Sequence, residues 1–390
     1  MEEVVLGRLS GEITLKSPGI VKEWINLILR HIKKRLLRRN VKPRAIYSLE
    51  SRIFIEPGEN IDAQFVAEQV AKVFGIKEAI VAIRTSLNIE SIVETAKQLT
   101  EGLKGTFAVR TNRAYKEFPY TSIEINHIVG EAIIEANNNL RVDLSSPDFT
   151  LEIEIRRNGA YIYRNRVAGF AGLPYGVSGK GVALVSGGID SSLAAWLAMK
   201  RGMKVVVLHA DMGSYYSEKA RNRAISVLKW LADWVPSGRL KAYIVPVASL
   251  HEEAKLPVNK YRCVFCKMLL IKLAELVAKR EHAHAIITGE SLSQVASQTP
   301  ENLRAINLVT RYPILRPLIF MDKAEIDSLA QKIGLYRIVS MDVGKCRLAP
   351  RRPAVDTELE VAKKLIEILN SLPIDEAIEK ADIRIIKANQ

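Results

Sequence analysis

The chain has 390 residues, and its 57 lysines and arginines outnumber its 43 aspartates and glutamates by 14. This length predicts two or three domains, and an apolar fraction of 48% excludes a largely disordered chain. The sequence has neither a long apolar run nor a secretory leader pattern, and its three cysteines are too few for a disulfide framework. We therefore expect a globular cytoplasmic protein, without a membrane span, whose basic surface favours a nucleic-acid partner.

The first 84 residues are predicted to form a ferredoxin-like domain. Short apolar runs predict strands, and runs with a period near 3.6 residues predict helices. The predicted strands lie at 4–6, 46–47, 52–55 and 79–83, and the predicted helices at 20–37 and 61–74. Their order, β-α-β-β-α-β, is the split βαβ pattern.

A second α/β block is predicted at residues 85–168. Its helices are predicted at 89–103 and 122–136, and its strands at 106–110, 149–156 and 160–163. The glycine-rich stretch 169–180 is interpreted as a linker. A third domain is predicted at 181–390. Its strands are predicted at 181–185, 204–208, 242–247 and 284–287, and its helices at 190–201, 217–232 and 263–280. This alternation predicts a doubly wound parallel sheet with helices on both faces.

The sharpest signal for chemistry lies between a predicted strand at 182–185 and a predicted helix, where residues 186–192 read Ser-Gly-Gly-Ile-Asp-Ser-Ser. Two glycines allow a tight turn and a close approach of the backbone to a ligand. The free N–H groups and the dipole of the following helix form an anion site. The loop lacks the lysine and the spacing of a Walker A motif. The alternative is an ordinary strand-to-helix turn of similar composition.

A second polar stretch occupies residues 289–299 and reads Gly-Glu-Ser-Leu-Ser-Gln-Val-Ala-Ser-Gln-Thr. It follows the apolar strand 285–287, and ligands of α/β sheets bind at the carboxyl ends of such strands. Taken alone, this stretch is typical of a polar surface loop.

The three cysteines are a further candidate site. Cys263 and Cys266 form a C-x-x-C pair at the start of a predicted helix, and Cys346 follows 80 residues later. Three thiolates can hold a [4Fe–4S] cluster and leave one iron open to a small anion such as hydrosulfide. The alternatives are a redox pair working with Cys346, a three-cysteine zinc site, or buried inert thiols.

A basic run with no acidic residue spans positions 24–49. Such runs are usually solvated faces, but with a nucleic-acid partner this one favours phosphate contacts. The candidates in the run are Arg30, Lys33, Lys34, Arg35, Arg38 and Arg39. Arg110, Arg113 and Lys116, together with Arg156, Arg157, Arg164 and Arg166, are expected to extend this patch over the second block.

The two polar loops and residues 11–16, Gly-Glu-Ile-Thr-Leu-Lys, resemble the tRNA 4-thiouridine synthetases, also called tRNA sulfurtransferases. The resemblance covers nearly the whole chain. Loop 186–192 resembles the PP-loop of ATP pyrophosphatases, and residues 85–168 resemble a THUMP RNA-binding domain, with homology starting near residue 60. The C-x-x-C pair and late cysteine resemble archaeal-type members that lack a rhodanese domain. Ser192 departs from the proline that is usual in the family.

The resemblance implies where ATP, and Mg²⁺ with it, would bind. Asp190 would serve phosphate or Mg²⁺ geometry, and Ser186 and Ser191 would bond the pyrophosphate. Lys267 stands where the family usually has arginine, which replaces a bidentate contact by a point charge. The complete expected set is Leu184, Val185, Ser186, Gly187, Gly188, Asp190, Ser191, His209, Ala210, Lys267, Gly289 and Gln298.

The resemblance further implies a reaction in which uridine 8 of tRNA becomes 4-thiouridine through an adenylated uridine. Asp190, Cys263, Cys266 and Cys346 are the expected catalytic residues. Sulfide or a persulfide-carrying protein would supply the sulfur, and a homodimer is expected from the family. Other hypotheses are a different PP-loop thiolase or adenylating ligase, an ATP-sensing RNA-binding protein, and a role in thiazole formation for thiamine.

Overall fold

The computed structural model describes residues 2–344 and 346–389. The chain divides into two compact units, Met1–Gly172 and Leu173–Gln390. The division lies within the glycine-rich stretch 169–180. Among the described residues, no helix combines the length and the apolar character that crossing a membrane requires.

The first part of the first unit has the predicted ferredoxin-like order. Its elements are β1 (Glu2–Leu9), α1 (Gly11–Thr14), α2 (Pro18–Arg38), β2 (Ala45–Leu49), β3 (Arg52–Glu56), α3 (Ala63–Ala71) and β4 (Ile76–Thr85). The strands lie in the order β2-β3-β1-β4, and all neighbours are antiparallel. Helix α2 packs because Ile25, Ile28, Ile32 and Leu36 recur at helical spacing and are buried.

The second part of this unit extends the same sheet. Its elements are α4 (Ile89–Thr100), β5 (Gly105–Arg113), α5 (Ser122–Ala136), β6 (Leu140–Val142), β7 (Phe149–Arg156), β8 (Gly159–Tyr163) and β9 (Val167–Ala168). Strand β8 pairs with β4, so one nine-stranded sheet runs through both predicted blocks. The short strands β6 and β9 were not predicted, because two or three residues carry no periodicity and depend on pairing with distant strands.

The second unit contains the predicted doubly wound sheet. Its strands are β10 (Lys180–Leu184), β11 (Lys204–Asp211), β12 (Arg239–Pro246), β13 (Ala285–Ile287), β14 (Ile314–Leu315) and β15 (Asp382–Lys387). They lie in the order β14-β13-β10-β11-β12-β15. The first five are parallel, and β15 is an antiparallel edge strand. The sequence analysis included neither β14 nor β15.

Nine helices among the described residues accompany this sheet. They are α6 (Ile189–Lys200), α7 (Glu218–Trp234), α8 (Ala248–Glu253), α9 (Arg262–Glu281), α10 (Pro300–Asn307), α11 (Lys323–Lys332), α12 (Tyr336–Val339), α13 (Leu359–Asn370) and α14 (Ile374–Glu379). The central helix α9 carries Phe265, Met268, Leu269 and Leu273 into the core. Since α6 and α9 both pack against β10 and β13, the carboxyl ends of these strands lie between two helices.

A buried carboxylate on β7 connects four strands of the first unit. Glu154 is 1% exposed and accepts hydrogen bonds from Arg8 on β1 at 2.5 Å and from Arg52 on β3 at 3.0 and 3.1 Å. Arg156 and Tyr163 donate to it at 3.0 and 3.3 Å. Burial alone would raise the pKa of Glu154, but its bonds to and charge attraction by the arginines lower it to about 2.

We expect Glu154→Gln to destabilise the first unit by about 3 kcal/mol at neutral pH, because three guanidinium groups lose a buried counter-charge. Hydrogen–deuterium exchange of β1, β3 and β7 measures this loss. Glu152→Gln on the same strand, where the side chain is 23% exposed, is the control and should cost less. Equal protection of β7 in Glu154→Gln and wild type would contradict the expectation.

The same substitution has a defined pH dependence. The folded-state pKa of Glu154, about 2, lies below its ordinary value of 4.5. The stability that the ionised carboxylate contributes is therefore complete above pH 4.5 and is lost as the pH falls towards 2. We expect the difference in exchange protection between wild type and Glu154→Gln to narrow over that interval.

Candidate functional site

The loop between β10 and α6 has a backbone that requires its glycines. Gly187 has φ +82°, and a Cβ there would lie 2.8 Å from the Cα of Ala224. Gly188 is the N-cap of α6 and has no side chain to cover the first N–H groups of the helix. The helix start therefore remains open to an anion, as the sequence indicates.

Hydroxyl groups hold this loop from within. Ser191 Oγ accepts a hydrogen bond from the N–H of Ser186 at 3.1 Å, and Ser186 Oγ accepts one from the N–H of Gly188 at 3.3 Å. Ser192 is fully buried and donates its hydroxyl to the Gly188 carbonyl at 2.6 Å. These bonds position the loop before any ligand arrives.

A second glycine contact joins the two polar loops. A Cβ on Gly289 would lie 2.6 Å from both the carbonyl carbon of Asp190 and the backbone nitrogen of Ser191. Real Cβ atoms essentially never show so short a contact with backbone. The loop after β13 thus touches the first turn of α6 directly, although 98 residues separate Ser191 from Gly289 in sequence.

A cavity of about 220 Å³ lies at this junction. Its wall consists of Leu184, Ser186, Gly188, Asp190, Ser191, Lys267, Leu270, Ile271, Thr288, Gly289, Glu290 and Gln298. Eight of the twelve residues expected to contact ATP are therefore brought together here. Gln298 is 8% exposed, and its buried Oε1 has no hydrogen-bond partner among the described residues, so it can accept a bond from a ligand.

A smaller apolar cavity of about 90 Å³ shares wall residues with the first. It is lined by Leu184, Val185, Ser186, Leu208, Ala210, Met212, Tyr216, Cys266 and Leu270. His209 and Gly187 line neither cavity. His209 instead supports the loop, since its Nδ1 lies 2.8 Å from the carbonyl oxygen of Val185, and burial lowers its pKa.

Asp190 lines the larger cavity. Burial raises the pKa of its carboxyl group, although the positive charge of Lys323 acts to lower it. The Nζ of Lys323 lies 3.8 Å from one carboxylate oxygen, and Gln294 donates to the other at 3.5 Å. The sequence analysis did not identify Lys323, whose side chain comes from the first residue of the distant helix α11.

Lys267 is held by a buried acid that the sequence analysis also missed. Its Nζ lies 3.4 Å from Glu290, and Arg316 donates to the same carboxylate at 2.9 Å. The hydroxyl group of Thr288 also donates a hydrogen bond to the Glu290 carboxylate. Burial would raise the pKa of Glu290, but Lys267, Thr288 and Arg316 together lower it. Glu290 lies within the predicted stretch 289–299, whereas no local pattern marked Arg316.

The three thiols lie close enough to influence one another. Burial raises the pKa of Cys266 to about 12, and the charges of Cys346 and Cys263 contribute. The pKa of Cys263 is also raised, mainly by burial and then by the charge of Cys346. Within residues 2–344 and 346–389, however, no three His, Cys, Asp or Glu side chains converge as a metal-binding group.

The predicted RNA-contacting side chains of the first unit differ in exposure. Arg30, Lys33, Lys34, Arg110 and Lys116 are exposed. Arg38 and Arg39 are half-buried and engaged in contacts.

Arg35 is 2% exposed, so the expectation of a phosphate contact at this position conflicts with its burial. It lies on the inner side of α2, seven residues after Ile28, and the basic run gave no sign of this.

Arg113 donates to the carbonyls of Lys116 and Phe118 at 3.2 and 2.9 Å and so stabilises its own loop.

Two arginines proposed to extend the patch are used by ion pairs instead. Arg156 is buried against Glu154, and Arg166 pairs with Glu78 and Glu152.

We expect Gly289→Ala to weaken ATP binding by about ten- to hundred-fold, because overpacking costs about 1–3 kcal/mol and here displaces the start of α6. Titration calorimetry with ATP measures the affinity. Gly130→Ala in α5 is the matched control, since a Cβ there meets no atom within 4 Å. Wild-type affinity in Gly289→Ala would show that the contact is not needed.

Comparison with family models assigns three parts of the chain. The ThiI ferredoxin-like domain matches residues 4–79, the THUMP domain matches 87–165, and the model described as thiamine biosynthesis protein (ThiI) matches 176–370. Among solved structures, the crystal structure of a 4-thiouridine synthetase–RNA complex with bound ATP is 32% identical with a TM-score of 0.87, covering 99% of this chain and 100% of that one. PH1313 from Pyrococcus horikoshii is 25% identical with a TM-score of 0.66 over 85% of this chain and all of that chain.

Curated relatives match over similar lengths. A protein of Thermoanaerobacter sp. (strain X514) named "Probable tRNA sulfurtransferase" is 36% identical, covering 99% of this chain and 100% of the relative. One of the same name from Methanocaldococcus jannaschii is 38% identical, covering 92% of this chain and 95% of the relative. With the two polar loops meeting at one cavity, these full-length similarities show that the chain belongs to the tRNA sulfurtransferase (ThiI) family.

Proposed function

We propose that this chain is an ATP-dependent tRNA sulfurtransferase that converts uridine 8 of tRNA to 4-thiouridine. The observation that carries the proposal is the junction of loops 186–192 and 289–299 around an open helix start. The full-length similarity to a 4-thiouridine synthetase described with RNA and bound ATP supports both substrates.

ATP would occupy the larger cavity with its phosphates at the start of α6. Backbone N–H groups of the loop and the ammonium of Lys267 would neutralise the pyrophosphate. Asp190 would hold the Mg²⁺ that accompanies ATP, which lowers the cost of charge on the leaving group. Gln298 offers an unpartnered acceptor to the nucleotide.

The reaction divides into two displacements. Uridine O4 attacks the α-phosphorus, pyrophosphate leaves, and the base loses its N3 proton. Hydrosulfide then attacks C4, the C–O bond breaks, AMP leaves with the former O4, and the S–H proton passes to N3. Adenylation is needed because the carbonyl oxygen is a poor leaving group, and hydrosulfide is a suitable nucleophile near neutral pH.

The sulfur site would be formed by Cys263, Cys266 and Cys346. Soft thiolates are the donors that a [4Fe–4S] cluster takes, and a cluster held by these three cysteines would supply a binding point for sulfide. Cys266 lines the apolar cavity beside the ATP site, so sulfur held there is near the reaction. The raised pKa values keep Cys263 and Cys266 as thiols until metal or another charge stabilises the thiolate form.

The first unit would hold the tRNA. We assign residues 1–84 to the ferredoxin-like domain, 85–168 to the THUMP domain, 169–180 to a linker and 181–390 to the PP-loop domain. Exposed Arg30, Lys33 and Lys34 on α2 would contact phosphates, with Arg110 and Lys116 from the β5 region. Recognition by shape suits this module, since few base-reading groups are needed for a tRNA end.

Asp190→Asn should lower the tRNA-dependent conversion of ATP to AMP by about 100-fold or more. The reason is that the variant has no carboxylate at this position to hold the Mg²⁺ that accompanies the phosphates. AMP and 4-thiouridine are quantified together by chromatography after nuclease digestion. Asp375→Asn, at an exposed acid in the first turn of α14, is the control and should retain wild-type activity.

Three results would contradict the proposal. ATP conversion to ADP, or AMP release without any thiolated nucleoside, would exclude a sulfurtransferase. Formation of 2-thiouridine or 2-thiocytidine instead of 4-thiouridine would identify the chain as a different PP-loop thiolase.

Protein purified without oxygen should show a broad absorption band at about 400 nm and contain about four irons per chain. Cys263→Ala should lose both, because two remaining thiolates cannot retain the cluster. Colourless, iron-free protein that still thiolates tRNA would reject the cluster. It would instead assign sulfur transfer to persulfides on the cysteines.

A further inference from the structure

A cleft beside Asp190 exposes an aromatic ring to solvent. The cleft is formed by residues 291–294 and 319–323 and has a volume of about 450 Å³. Phe320 is 87% exposed, and Leu292 on the facing loop is 40% exposed. A phenylalanine exposed to this degree contributes almost nothing to packing, and with Leu292 it forms a small apolar surface.

The backbone beneath this surface is well fixed. The N–H of Leu292 donates to the Ile319 carbonyl at 2.9 Å, and Ser291 Oγ donates to the Met321 carbonyl at 2.8 Å. Asp322 caps α11 through a capping box with Glu325. Phe320 therefore lies in a segment held by hydrogen bonds on both sides, so a ligand would bind it with little loss of backbone entropy.

The cleft adjoins the ATP cavity through one carboxylate. Gln294, in the cleft wall, donates to Asp190 at 3.5 Å, and Lys323, at the other side, has its Nζ 3.8 Å from the same side chain. Asp190 itself lines the larger cavity. Lys323 is 52% exposed, and its Nζ, which also lies 3.3 Å from Asp327, places an ammonium group at the rim. An apolar ring beside an exposed cation complements a nucleotide, which has a flat base and an anionic phosphate.

We propose that this cleft binds a single unstacked nucleobase of the RNA substrate. Phe320 stacks on the base, Leu292 packs on its edge, and Lys323 attracts the adjoining phosphate. The inference rests on the proposed function, because it takes RNA as the substrate. It adds that the RNA must unstack at the mouth of the ATP cavity, as chemistry on a base within a folded tRNA requires.

The test compares Phe320→Ala with Phe320→Trp, using sulfide as the sulfur donor so that no donor protein is present. Loss of one base–aromatic stack should raise the KM for tRNA about ten-fold in Phe320→Ala and leave the Kd for ATP unchanged. Phe320→Trp should restore the wild-type KM. Its tryptophan emission should be quenched by tRNA more strongly than that of wild type, whose four tryptophans give the background.

Tyr336→Ala is the matched control, since this ring is also exposed in the second unit, on α12, and does not line the cleft. It should leave the KM for tRNA unchanged. An unchanged ATP Kd in Phe320→Ala shows that the variant folds.

Three results would overturn the inference. They are a wild-type KM in Phe320→Ala, an equal loss in Tyr336→Ala, or a raised KM that Phe320→Trp does not restore. Failure of the proposed function is distinguishable, because wild-type protein would then form no 4-thiouridine.

Discussion

The backbone contact between Gly289 and the first turn of α6 is the constraint on which the candidate site depends. Strands β10 and β13 are parallel neighbours, so both end at the same edge of the sheet. The chain leaving β13 passes so close to the backbone of Asp190 and Ser191 that a Cβ on residue 289 would lie 2.6 Å from it. Only glycine, which has no side chain, fits at this position. That passage brings Glu290 and Gln298 into the wall of the larger cavity. Asp190 lines the same cavity and accepts a hydrogen bond from Gln294, which lines the Phe320 cleft.

Buried carboxylates organise positive groups in both units. Glu154 gathers Arg8, Arg52 and Arg156 in the first, and Glu290 gathers Lys267 and Arg316 in the second. In each case burial alone would raise the pKa of the acid, and the hydrogen bonds and neighbouring cations lower it. A basic residue in the sequence is therefore a poor guide to the binding surface, because Arg35 is buried and Arg156 serves an internal ion pair.

These acids also explain where sequence reasoning about the site succeeded and failed. A glycine-rich loop after an apolar strand predicts an anion site because its local backbone geometry produces one. Lys267 could be placed by resemblance, but its orientation depends on Glu290 and Arg316. Arg35 illustrates the reverse case, because a run of basic residues does not reveal that one of them lies on the buried side of a helix.

The sequence by itself determined the longer regular elements up to residue 287 and the fold class. Helix α5 and strand β7 were predicted with the bounds that the structure has, because amphipathic period and alternation are local properties. The tertiary structure alone decided what depends on pairing across long distances. Strands β6, β9 and β15 exist through their partners, one sheet joins two predicted blocks, and the side chains of Asp190, Gln294 and Lys323 meet from three separate segments. Such meetings are set by packing and strand register, which no local window of residues contains.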